Sequence, residues 1–238
     1  MIPWLEAASP FPSPDTALSE PNGLLAAGGD LSLPRLLSAY RQGIFPWFSE
    51  DEPILWWSPD PRMTLFPEAF RPSRSLLKTL RQGHYEVRFD TAFARVIAAC
   101  AETPRRGQDG TWIGAEIAAG YGALHAAGFA HSVEVWMEGA LAGGLYGVAI
   151  GRMFYGESMF ARKRDASKIA FAHLVRHLLA EGYGLVDCQV HTDHLASLGA
   201  REIPRDVFLQ RLKALVDAPD APSPGCWRAP KIDWRAAT

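Results

Sequence analysis

The chain has 238 residues, 48% of them hydrophobic, and a formal net charge of -2, enough apolar material for one large domain or a main domain with a small one. So modest a charge excludes a protein that coats nucleic acid by bulk electrostatics, and three widely spaced cysteines (Cys100, Cys188 and Cys226) fit reduced thiols better than a disulfide framework. Glu6 and the prolines at 3, 10, 12 and 14 break up the start of the chain, and no run reaches the ~18 apolar residues of a membrane span, so a cytoplasmic protein without leader or membrane contact is expected.

Residues 1–62 are rich in Pro and Trp. One helix is predicted there, with Asp30 or Ser32 as its cap and Leu33, Leu36, Leu37 and Tyr40 at helical spacing before Gly43. Phe45-Pro46-Trp47-Phe48 and Trp56-Trp57-Ser58-Pro59-Asp60-Pro61 follow. These aromatics suit a small domain with little regular structure, or a stacking wall for a nucleobase or substrate side chain. Residues 62–72 read as the join to the rest.

Beyond the join, Asp90 is placed to cap a helix carrying Phe93, Val96 and Ile97. A second helix repeats Ile113, Ile117, Tyr121 and Leu124 before Gly128. Three strands are predicted over 131–137, 140–150 and 152–160, with Glu138-Gly139 as a hairpin turn. Asp165 then caps a helix with Ile169, Ala172, Val175 and Leu178 on one stripe, the strand 185–190 follows, and Pro204 opens a last helix bearing Val207, Phe208, Leu212 and Leu215. The order implies an α/β protein of the α+β type: a mixed sheet with helices packed on it.

Within the late strand, Asp187-Cys188-Gln189-Val190-His191 is the most informative pattern. Strand alternation turns Val186, Cys188 and Val190 toward the core and gathers Asp187, Gln189 and His191 on the other face. An anchoring role for Asp187 on a neighbouring loop fits the spacing equally well. The same alternation disfavours a metal site from Cys188, His191 and His194, and disfavours Cys188 as a nucleophile. Glu157 interrupts an apolar strand, so its carboxylate needs either a structural Arg or Lys partner or a cationic substrate group. His173 and His177 are read as helix-surface residues, since no Glu follows His173 as a zinc-protease motif requires. Two short basic clusters, Arg105-Arg106 and Arg162-Lys163-Arg164 with Lys168, are solvated faces or anion contacts. No glycine lies in the loop 162–168, which speaks against the pyrophosphate cradle of a coenzyme A-dependent acetyltransferase.

Taken together, Phe11-Pro12-Ser13-Pro14, Glu20-Pro21-Asn22-Gly23-Leu24-Leu25-Ala26, Gly28-Gly29-Asp30-Leu31, Gly43-Ile44-Phe45-Pro46-Trp47-Phe48, Trp56 to Arg62, Gly110-Thr111-Trp112-Ile113, Gly156-Glu157-Ser158-Met159-Phe160, Asp187-Cys188-Gln189 and Ala196-Ser197-Leu198-Gly199-Ala200 resemble the leucyl/phenylalanyl-tRNA–protein transferase family over nearly the whole chain. The resemblance implies a small N-terminal domain (1–62) on a GNAT-like acyltransferase domain (63–238) whose coenzyme A loop has been replaced. It implies transfer of Leu or Phe, less often Met, from aminoacyl-tRNA to acceptor proteins beginning with Arg or Lys, marking them for degradation by the N-end rule. Carried onto matching positions, Asp187 and Gln189 are the catalytic pair and Glu157 holds the acceptor or its amine. Trp47 and Trp112 contact the terminal adenosine, and Leu145, Phe154, Met159 and Phe171 form the aminoacyl side-chain pocket. Because Arg162, Lys163, Arg164 and Lys168 stand where the coenzyme A loop would be, they are expected to meet tRNA phosphates. No metal or cofactor is expected, and nothing demands more than a monomer. A coenzyme A-dependent or Fem-like acyltransferase, and an inert tRNA-binding module, are the competing readings.

Overall fold

The computed structural model describes residues 2–49, 51–103 and 111–235; Arg105, Arg106 and Gly110 lie outside them. In chain order the elements are β1 (Trp4–Leu5), β2 (Leu24–Gly28), α1 (Leu33–Arg41), β3 (Phe45–Pro46), β4 (Leu55–Trp57), β5 (Arg62–Leu65), α2 (Arg74–Gln82), β6 (Glu86–Phe89) and α3 (Phe93–Ala101). They continue with α4 (Ala115–Ala126), β7 (Ala130–Met137), β8 (Ala140–Ile150), β9 (Met153–Ala161), α5 (Ala166–Ala180), β10 (Leu185–Gln189), α6 (Asp193–Ala196), β11 (Arg201–Ile203) and α7 (Arg205–Val216).

A mixed seven-stranded sheet in the order β11-β5-β10-β9-β8-β7-β6 forms the main body, and a four-stranded sheet, β1-β2-β4-β3, lies in the N-terminal segment. The hairpin between β7 and β8 turns at Glu138 and Gly139, whose φ angles of 53° and 76° give the twist a two-residue turn requires. Helix α5 buries Ile169, Ala172, Val175 and Leu178 as expected, but it is enclosed on other sides too, burying Phe171, His173 and His177.

Four local expectations need correction. Residues 62–65 are not a join but β5, an interior strand between β10 and β11; the prolines at 61 and 67 that flank it masked its strand character. The boundary expected after residue 62 therefore falls inside a strand. Asp90 does not cap α3: its carboxylate accepts from His131 Nδ1, from Ser132 N and from Trp227 N, while Glu134 on β7 serves the first turn by accepting from the Thr91 hydroxyl and the Ala92 amide. Asp165 adopts φ 61° at the start of α5 and makes no side-chain cap bond. His173 and His177 are buried, because the C-terminal tail packs over them with Trp234 Nε1 donating to His173 Nε2 at 3.0 Å and the Trp227 ring 4.4 Å from His177. Burial lowers the His173 imidazole to about 4 and keeps it neutral.

Two cores flank the large sheet. One joins Leu36, Tyr40, Phe45 and Trp56 of the N-terminal segment to Phe93, Tyr121, Tyr155 and Phe208 of the main body. The other lies between the sheet, α2, α5 and the tail. Trp56 is fully buried, donates from Nε1 to the Gly28 carbonyl at 2.9 Å and meets Phe11 edge-on. Because this core is shared, Trp56→Ala is expected to cost about 3–5 kcal/mol in urea titrations, with far-UV circular dichroism and tyrosine fluorescence reporting one coincident transition rather than two.

Candidate active site

Parallel pairing between β9 and β10 ends at Tyr155 opposite Asp187. Each strand carries a surplus residue at that point. Tyr146 faces Ser158 and Gly147 faces Gly156, which leaves Glu157 extra on β9; Asp187 faces Thr64 and Gln189 faces Met63, which leaves Cys188 extra on β10. Such bulges bend a strand and re-aim its side chains. A pocket of about 630 Å³ is lined there by Gly156 to Met159 of β9 and by Val186, Cys188, Gln189 and Val190 on the β10 side.

Its apolar wall is built by Leu145 of β8, Phe154 and Met159 of β9, and Phe171 and Leu174 of α5. Trp47, just after β3, and Trp112, before α4, line it as well, both half-buried. The segment after β10 adds Thr192, His194 and Leu195. All four residues expected for a side-chain pocket, both tryptophans, Glu157 and Gln189 thus come together in one cavity.

Glu157 is the polar centre of the cavity. Tyr40 donates to Oε1 at 2.8 Å, Tyr121 to Oε2 at 2.7 Å and Gln189 Nε2 to Oε1 at 3.1 Å, and the two tyrosine hydroxyls bond to each other. No Arg or Lys within the described residues forms an ion pair with it, so of the two partners considered from sequence the structural cation is missing. Burial lifts its carboxyl to about 7, outweighing the hydrogen bonds from Tyr121 and Tyr40, with the Asp187 charge adding to the rise. It is therefore poised to take or release a proton near neutrality.

Asp187 does not share a face with Gln189 and His191, because the bulge at Cys188 breaks the alternation. Its carboxylate is fully buried, accepting from Arg62 Nε at 2.8 Å and Nη2 at 2.7 Å, and it does not line the pocket. Oδ1 also accepts from the Gln189 backbone N–H at 2.9 Å, holding Gln189 at φ 65°, a conformation that non-glycine residues seldom take. Asp187 thus makes anchoring contacts, to Arg62 on β5 and to the backbone at the end of β10. Arg62 is sandwiched between the rings of Phe45 and Phe208 at 4.8 and 4.7 Å. His191 is exposed and lies off the pocket. Cys188 belongs to the core beneath α5, as expected, and lines the pocket as well, whereas Val190 is exposed instead of facing the core. Burial pushes the Cys188 thiol far up, which keeps it protonated and unreactive.

The basic cluster at 162–168 is partly neutralised. Arg162 pairs with Glu102 at 3.2 Å, while Arg164 and Lys168 meet Asp165 at 3.6 and 3.5 Å. Lys163 is exposed. Lys168 also helps hold the pocket residue His194 below its ordinary range, after burial, and so stands near the cavity. Three residues of this site do not stand out in the sequence: Tyr40 and Tyr121 read as members of apolar helix stripes, and Arg62 as the start of a connector. The signal available was a hydroxyl on each stripe and a cation opening an apolar strand.

A family model described as leucyl/phenylalanyl-tRNA protein transferase matches residues 64–213, and one for the N-terminal domain of the same proteins matches 29–60. Proteins named leucyl/phenylalanyl-tRNA–protein transferase are 65% identical in Chromobacterium violaceum, over 92% of this chain and 94% of that one, and 63% identical in Nitrosospira multiformis, over 91% and 93%. The chain belongs to the leucyl/phenylalanyl-tRNA–protein transferase family. A solved GCN5-related N-acetyltransferase from Kribbella flavida aligns with a TM-score of 0.37 at 11% identity, over 70% of this chain and 59% of that one. As a leucyl/phenylalanyl-tRNA–protein transferase, the enzyme carries an amino acid from aminoacyl-tRNA to the amino terminus of a protein. No helix among the described residues is long and apolar enough to cross a membrane.

The raised carboxyl of Glu157 in the transferase has a signed effect on stability. A carboxyl that binds its proton more tightly in the folded state contributes stability that is fully present below its unfolded range and is lost as pH rises through about 7. Urea titrations of the free enzyme between pH 5 and 8 are expected to show stability falling with pH more steeply for wild type than for Glu157→Gln. Equal slopes would place the Glu157 carboxyl in its ordinary range.

Proposed function

We propose that the pocket holds the aminoacylated 3′ end of the tRNA, with Leu145, Phe154, Met159 and Phe171 around the Leu or Phe side chain and Trp47 and Trp112 against the terminal adenosine. The observation that carries this reading is the pairing of an apolar wall with Glu157 and Gln189 at one cavity of about 630 Å³, a size suited to a nucleoside and a side chain together. Leucine, phenylalanine and, less often, methionine are the donors. The acceptor begins with Arg or Lys, and the product enters N-end rule degradation in the cytoplasm; the family resemblance supports these points.

In the transfer step the acceptor's α-ammonium must lose a proton before its nitrogen can attack the ester carbonyl. Glu157 takes that proton and Gln189, whose amide is a poor base, orients the amine. As the C–N bond forms and the ester C–O bond breaks, a second nitrogen proton goes to the leaving ribose oxygen and the third stays on the new peptide. Asp187 acts one step removed, through Arg62 and the backbone of Gln189. Residues 63–238, with Arg62 at the head of β5, serve as a GNAT-like catalytic domain working as a monomer and without cofactor, and the segment before β5, within the expected 1–62, as a small domain that contributes Tyr40 and Trp47. The parallel pair that parts after Tyr155 and Asp187, with a pocket where a substrate ester would sit, supports the GNAT-like comparison.

Radiolabelled leucine supplied as Leu-tRNA is expected to appear on a model protein beginning with Arg and not on its twin beginning with Ala. No label on either, with tRNA still bound, would favour the inert-binder reading. Arg162, Lys163, Arg164 and Lys168 meet phosphates of the acceptor end, Lys168 bearing on the pocket residue His194. Reversing Arg162, Lys163 and Arg164 to Glu is expected to weaken tRNA binding and flatten its salt dependence, as lost phosphate contacts do. An unchanged slope in a filter-binding series would remove this cluster from the interface.

A further inference from the structure

The hydrogen bonds around Glu157 close on themselves. Tyr40 reaches Oε1 at 2.8 Å, Tyr121 reaches Oε2 at 2.7 Å, and the two hydroxyls bond to each other, so carboxyl, phenol and phenol form a ring with three oxygen–oxygen contacts. Each contact needs one proton, and each phenol has one to give. With Glu157 ionised, two protons serve three contacts, and one pair of oxygens faces without a hydrogen between. A proton on the carboxyl serves the third contact. It can enter in the sense Glu157 to Tyr121 to Tyr40, which leaves Oε1 to accept from both Tyr40 and Gln189 Nε2.

We infer that Tyr40 and Tyr121 are positioning residues of the transfer step, which with Glu157 form a hydrogen-bond ring that is complete only while Glu157 holds the proton taken from the acceptor's ammonium. This rests on the reading that Glu157 meets that ammonium. The ring turns abstraction of the proton into a step that completes a buried network instead of breaking one, and in the low-dielectric interior an incomplete network is costly. Glu157 loses its charge as the amine becomes neutral, so no separated charges remain in the cavity while the amine attacks. The proton leaves to solvent once the peptide product has gone, which restores the ionised carboxylate.

The surroundings assign the change of charge to Glu157 alone. Tyr40 of α1 and Tyr121 of α4 are both held well above the ordinary tyrosine range, first by burial and then by the neighbouring Glu157 charge, so neither phenol ionises. Tyr146 of β8 meets Tyr121 edge-on at 5.5 Å, and Tyr155 of β9, tilted against Tyr40 at 4.9 Å, donates to the Tyr40 carbonyl and stays protonated as well. Among the described residues, Asp187 of β10 is the charged group that bears on Glu157, and Arg62 of β5 neutralises it through two bonds.

Infrared difference spectra of the free wild-type enzyme, titrated from pH 5 to 9, read the ring without substrate. The carbonyl band of the protonated carboxyl is expected to vanish with a midpoint near 7, with tyrosine ring bands moving in the same step, and both changes should be missing from Glu157→Gln. Tyrosine bands that stay flat through that step in wild type would overturn the ring, whatever any variant does. Each phenol also donates to the carboxylate, which by itself favours ionisation. If the ring holds, the contact that only the neutral form completes outweighs that donor, and Tyr40→Phe and Tyr121→Phe should each lower the midpoint by about one pH unit. An unchanged or raised midpoint would overturn it too, since losing a plain donor to a carboxylate raises its proton affinity. Kinetics test the underlying reading separately: kcat/KM for leucine transfer should fall below the same midpoint in wild type. A Glu157→Gln enzyme that keeps that acid limb would remove Glu157 as the proton acceptor while leaving the spectroscopic result for the ring intact.

Discussion

The bidentate pair between Arg62 and Asp187 ties β5 to β10 in the interior of the large sheet, and much of the site depends on it. Two buried ions are an expensive way to join two strands, because each must be stripped of water, and removing either partner leaves the other uncompensated. What the pair contributes beyond stability is direction. Asp187 has an oxygen left over for the Gln189 backbone, and that bond holds Gln189 in a left-handed conformation at the point where β10 leaves β9. The aromatic faces of Phe45 and Phe208 on either side of the guanidinium admit a cation without admitting water. One ion pair therefore sets where β10 turns and where its amide side chain points.

Much of the secondary structure was legible in the sequence because it follows from periodicity and punctuation. The hairpin at Glu138-Gly139, the stripe of α5 and the placement of strands from 130 to 161 rest on signals that lie within a few residues of one another. The site was legible by a different route, through blocks of residue identity, and these brought Trp47, Trp112, Leu145, Phe154, Met159, Phe171, Glu157 and Gln189 to one pocket. Alternation failed at Asp187 for a physical reason. A bulge adds one residue to a strand and inverts the facing of everything after it, and nothing in the local composition of Asp-Cys-Gln announces it. Burial of His173 and His177 was equally hidden, since it depends on a tail that returns from fifty or more residues away and lays Trp227 and Trp234 over the helix.

Caps were misjudged for a related reason. Asp90 and Asp165 stand where a helix cap would, yet both carboxylates found stronger company: buried His131 and backbone amides for Asp90, surface cations for Asp165. The amides at the start of α3 are served instead from β7, by Glu134. Local propensity proposes such partners, and tertiary proximity decides among them.

The shared core has a consequence for how the two halves of the chain can change. Tyr40 comes from the N-terminal segment, whereas Glu157 comes from the large sheet, and the acidity of the carboxyl is set where they meet. Packing of α1 against α4 is therefore part of the chemistry as well as of the architecture. A shift of α1, by a substitution far from any substrate, would draw Tyr40 off the carboxylate and open its inner side to water, moving it toward an ordinary surface acid, protonated too weakly to serve at neutral pH. The segment before residue 62 then behaves less like an appendage than like a tuning element, and partial loosening would retune the enzyme before it unfolded it.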